Sequence, residues 1–130
     1  MDKTFTKPRL RELSQKLLQL HKALLEYQKR EYREKFGRAD SPGKLLELLM
    51  ESPHFAWLRA LSGLVAGIDE IVDSKEPEDA KQIADLIAYT RGLLGGHRLR
   101  NDFSKKYLAA LQQDPHVALA HGQAMGMLKK

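Results

Sequence analysis

The 130-residue sequence predicts an all-α fold, a helical bundle of four main helices plus one or two short ones. Three observations carry this. Apolar residues recur at spacings of three and four along most of the chain, the period of a helix with one buried face. A capping residue followed by proline recurs at Ser41-Pro42, Ser52-Pro53 and Asp114-Pro115, each a helix-start signal. No segment alternates apolar and polar residues for long enough to form a strand. The length suits a single domain over residues 1–130, with residues 1–7 as a flexible N-terminal segment.

The first helix is expected from about Pro8 to Phe36, with Gly37 just past its end. Leu10, Leu13, Leu17, Leu20, Leu24 and Tyr27 form one apolar stripe. Leu18, His21, Leu25 and Tyr32 form a second beside it, so this helix is expected to touch at least two neighbours. A short helix follows Ser41-Pro42, with Leu45, Leu46, Leu48 and Leu49 on and around one face. The third is expected to run unbroken from Pro53 to about Val72 and is the richest in apolar residues. A fourth begins in the acidic run Lys75 to Asp79 and ends at Gly95-Gly96. A fifth covers Arg98 or Asn101 to Gln112. The last segment carries Val117, Ala120, Ala124 and Leu128 at helical spacing, weakened by Gly122 and Gly126.

Charge is unevenly spread. Residues 1–40 hold 11 Lys/Arg and 6 Asp/Glu, residues 41–90 hold 4 and 9, and residues 91–130 hold 7 and 2. The expectation is a fold in which these segments neutralise one another by packing side by side. Two basic clusters stand out: Arg30 and Arg33 near the end of the first helix, and Arg98, Arg100, Lys105 and Lys106 near the start of the fifth. If they share a face, they would suit a polyanion.

Several function classes lose support. There is no cysteine, so no thiolate metal site, disulfide scaffold or cysteine nucleophile. Phosphate-loop, dinucleotide-binding, nucleophile-elbow and zinc-protease motifs are absent. None of the five histidines has another three or four residues away, so no metal site or cofactor is predicted. The start of the chain shows no secretory signal and no stretch is apolar enough to cross a membrane, which points to the cytoplasm.

A candidate groove lies on the third helix. Arg59, Gly63, Gly67 and Glu70 fall along one line at 100° per residue. Small residues there predict close packing of the first or fourth helix. The competing expectation is a ligand groove ended by Arg59 and Glu70, with His21 and His54 within reach. Taken together, the sequence favours a non-enzymatic interaction or small regulatory module that binds a protein partner or a second copy of itself, a homodimer included. Nucleic-acid binding, and a metal or small-ligand site in the bundle core, are the alternatives.

Overall fold

The computed structural model describes residues 5–37, 42–51, 53–95 and 102–128. Among the described residues every regular element is a helix: α1 (Lys7–Phe36), α2 (Pro42–Glu51), α3 (Pro53–Ala56), α4 (Arg59–Asp73), α5 (Ala80–Gly95), α6 (Asp102–Gln113) and α7 (Pro115–Leu128). The all-α bundle is as the sequence predicts, with five longer helices and two short ones.

The double stripe of α1 determines the layout. Leu10, Leu13, Leu17, Leu20 and Leu24 are fully buried. Each such leucine contributes about 1.5–3 kcal/mol of burial. α4 packs along one side of α1 and α7 along the other. Both run antiparallel to it. Ser14 donates to Asp69 at 2.6 Å and Trp57 Nε1 donates to Gln28 at 3.0 Å on the α4 side. On the α7 side, Arg9 reaches the Met127 carbonyl at 3.4 Å while Tyr27 donates to Gln113 at 3.2 Å. α5 packs on α7 and α6, and α6 packs on α7.

Three expectations need correction. The helix foreseen from Pro53 to Val72 breaks at Trp57–Leu58. On an unbroken helix Phe55 and Trp57 would point about 200° apart. The break lets both be buried, with Phe55 against Tyr32 (centroids 5.6 Å apart) and Trp57 against Phe103 (5.5 Å). The acidic run does not start α5: residues 74–79 form a connector, and Asp79 caps α5 by accepting from the N–H groups of Lys81 and Gln82. Residues 5–7 of the expected flexible segment are held against the bundle. Phe5 is only 5% exposed, its ring lies under the Arg9 guanidinium, and Thr6 caps α1 by accepting from Arg9 N–H.

Helix ends are satisfied by distant side chains. The Lys7 backbone N–H donates to Glu78 at 2.9 Å, and its ammonium donates to the Ser74 and Glu76 carbonyls, tying the α4–α5 connector to the start of α1. The last carbonyls of α7 receive Arg9 and Arg91, the latter at 2.9 Å from Leu128 O. Cations at that end suit the helix dipole. α7 is regular despite Gly122 and Gly126, because Val117, Ala120, Ala124 and Leu128 are buried and packing outweighs weak propensity. No helix among the described residues is long and apolar enough to cross a membrane.

Asp114 begins α7. Its carboxylate accepts from His116 N–H at 2.9 Å and is salt-bridged to Arg30. Burial opposes its ionisation, but these donors outweigh burial and hold the carboxyl below the usual range. The cap alone is worth about 1 kcal/mol, so Asp114→Ala is expected to lower stability by about 1–2 kcal/mol at pH 7. The ionised carboxylate's contribution is complete above about pH 4 and fades as the pH falls through its depressed value. Urea unfolding at pH 7 and pH 3 checks this; an unchanged midpoint at pH 7 would refute it.

Candidate interaction surfaces

The glycine line of α4 faces outward. Its opposite face, Leu61, Leu64, Val65, Ile68 and Val72, is the buried one. A Cβ placed on Gly63 or Gly67 would meet no atom within 4 Å. The expected close packing of a helix on this line is therefore not what the chain does: α1 lies on the other side of α4, and α5 does not pack extensively against it. Open glycines alone mark nothing, since Gly122 and Gly126 on α7 are equally open. Gly67 differs because it walls a groove of about 670 Å³ between α4 and α5.

The groove has an apolar floor and acidic walls. Ile71 and Leu86, both half-buried against the core, line it from the two helices. Glu70 stands on the α4 side and Asp85 on the α5 side, with Glu76, Glu78 and Asp79 from the connector. Among the described residues Lys7 is the one cationic residue in the lining. Its ammonium and backbone N–H are already engaged, as described above. Asp85 also pairs with Lys81 at 2.8 Å, but both side chains are highly exposed and such a pair contributes little.

Of the three described residues among the four expected at a groove, Glu70 lines this one and His21 and Arg59 do not. Arg59 instead donates to the Met50 and Ala56 carbonyls at 3.2 and 3.4 Å, holding the ends of α2 and α3. His21 sits half-buried on α1, outside the groove, and burial lowers its pKa. The side chain of His54 lies outside the described residues. Among the described residues no group of three or more His, Asp or Glu side chains could hold a metal ion.

The described residues of the two basic clusters lie on α1 and α6. Arg30 is bonded to Asp114. Arg33 is exposed on α1, and Lys105 is exposed on α6 beside the half-buried Lys106. Arg98 and Arg100 lie outside the described residues. The second stripe of α1 is largely absorbed within the chain: Tyr32 packs on Phe55, while His21 and Leu25 are half-buried. Leu18, 50% exposed, is what remains uncovered. A larger apolar exposure is on α2, where Leu46 and Met50 are 58% and 62% exposed.

One constellation escaped sequence reasoning. Tyr107 hydroxyl and His121 Nδ1 are 2.5 Å apart, joining α6 to α7. Phe103 stacks on Tyr107, and Trp57 meets Phe103 edge-on, so a row of rings runs from the α3–α4 turn to α7. Burial pushes the Tyr107 phenol well above its ordinary value, so it stays a hydroxyl, and the tautomer of His121 sets which partner donates. Joining two packed helices inside a row of rings, this bond reads as a structural tie. Only the fourteen-residue spacing across a Pro-started hairpin of helices could have signalled it. Compared with protein-family models, with curated proteins and with solved structures, the chain matches none.

Burial lowers the pKa of His121, as it does that of His21. An unfolded imidazole takes up a proton at about pH 6.5, and the folded one does so only at lower pH. Stability is therefore complete above about pH 6.5 and declines as the pH falls below it. His121→Gln is expected to remove part of this decline, with the remainder due to His21. Urea midpoints between pH 8 and pH 5 test it; a wild-type profile flat across that range would refute the assignment.

Proposed function

We propose that this chain is a helical protein-interaction module and that the groove between α4 and α5 receives a helix of its partner. The observation that supports this is the unroofed apolar floor. Ile71 and Leu86 lie between two helices that face each other across a gap, with Gly67 leaving one wall low. A floor about two side chains wide, walled by polar groups, matches the helix-in-groove mode of recognition. The missing side chain at Gly67 lets a partner backbone approach closely, at a cost of about 1 kcal/mol relative to alanine in a helix interior. The chain's own packing makes no use of that space.

A polyanion-binding reading has less support, because Arg30 is committed to Asp114. A catalytic reading has no assembled set of groups in its favour. The self-associating form of the interaction reading would use the same groove or the exposed pair Leu46 and Met50.

Gly67→Leu fills the groove without straining the backbone, since Gly67 has ordinary helical geometry and open space. Its helix is expected to be more stable by about 0.5–1 kcal/mol. Native mass spectrometry on protein purified gently from its own cells is expected to show a stoichiometric protein companion on the wild type. The companion should be lost from Gly67→Leu and retained by Leu46→Asp. A bare monomer, or a companion that survives Gly67→Leu, would contradict the proposal.

A further inference from the structure

Granting the groove as a docking surface, we infer that its occupant is a basic amphipathic helix. Charge complementarity carries this step. Among the described residues five acids surround the floor, Glu70, Glu76, Glu78, Asp79 and Asp85, against the single cation Lys7. The chain as a whole carries a formal charge of +5, so the groove is a local reversal of the molecule's sign. Of these acids, Glu78 accepts from the Lys7 N–H, Asp79 caps α5 and Asp85 pairs with Lys81. Glu70 is exposed on the α4 wall, one turn from Gly67 and beside the floor residue Ile71.

The geometry divides recognition into two parts. The floor is apolar and narrow, so it takes one stripe of a helix: leucine-type side chains at spacings of three and four, set over Ile71 and Leu86. The walls carry acids on both sides, so residues flanking that stripe are favoured when they are Lys or Arg and disfavoured when they are Asp or Glu. An acidic helix of the same shape would meet like charge on both walls. The basic surfaces elsewhere in the molecule would draw that helix away from the groove. Acids on both walls and an apolar floor make the groove complementary to a basic helix.

The probe is a synthetic fifteen-residue peptide of Leu, Ala and Lys, with leucines on one helical stripe and lysines on both sides of it. Two controls accompany it: the same peptide with every Lys replaced by Glu, and a scramble of the Lys peptide that destroys the stripe. Backbone amide shifts of the isotope-labelled full chain are followed by NMR at low salt during titration. The Lys peptide is expected to shift residues from Gly63 to Leu86 selectively. Glu70→Lys should weaken it roughly tenfold, and moderate salt should weaken it as well. Gly67→Leu should abolish the shifts while leaving the helical circular dichroism unchanged. The Glu peptide and the scramble should leave this region unshifted.

Equal binding of the scramble, shifts centred on Leu46 and Met50, or the absence of shifts at millimolar Lys peptide would each overturn the inference. Protein that self-associates through the groove would overturn it too, since a second copy would then be the occupant. This outcome separates from failure of the docking reading itself. A companion lost by Gly67→Leu in the native spectrum, together with no binding of the Lys peptide, leaves the groove in use and refutes only the basic helix.

Discussion

The structure depends on covering two adjacent apolar stripes on one thirty-residue helix. A single neighbour cannot do this, because a helix offers one packed face to each partner. α4 therefore takes one side of α1 and α7 the other. With both places filled, α5 packs mainly on α7 and α6. The gap between α4 and α5 follows from that arrangement. So does the outward turn of Gly63 and Gly67, because α4 has spent its apolar face on α1.

Polar groups fix which ends meet. The connector after α4 is strapped to the first turn of α1 through Lys7, and the end of α7 is closed by Arg9 and Arg91. Asp114, bound to Arg30 and to the first turn of α7, does the same at the opposite end of the bundle. Individually such bonds contribute about 1 kcal/mol, with charged groups somewhat more. The fully buried leucines of α1 outweigh them in sum. The polar ties select register and direction, and the leucines supply most of the stability. The connector that is tied down by Lys7 is also the source of three of the five acids at the groove.

Much of this was legible in the sequence. The stripes of α1, the Asp114 cap and the buried residues of α7 all follow from local periodicity and capping chemistry. The break at Trp57–Leu58 was not legible, because nothing local forbids a helix there. It is forced by the separate destinations of Phe55 and Trp57, one on Tyr32 and the other on Phe103. The line from Arg59 to Glu70 was read correctly as a line, but its surroundings were not: whether a helix face is packed or open depends on where the other helices go. The same limit explains the Tyr107–His121 bond and the ion pair of Arg30 with Asp114, both between residues far apart in the sequence.

The central claim is that the chain consumes the apolar surface of α1 internally and leaves the far side of α4 open. Relaxation of Hα and methyl signals by a soluble gadolinium chelate tests it most directly, because the effect depends on distance from solvent. The structure requires strong broadening at Gly63 and Glu70 and intermediate broadening at the half-buried Gly67, with Leu13, Leu17, Leu20, Leu24, Leu61 and Ile68 protected. If Gly63 is as protected as Leu61, or if Leu13, Leu17, Leu20 and Leu24 are broadened, the arrangement described here is contradicted.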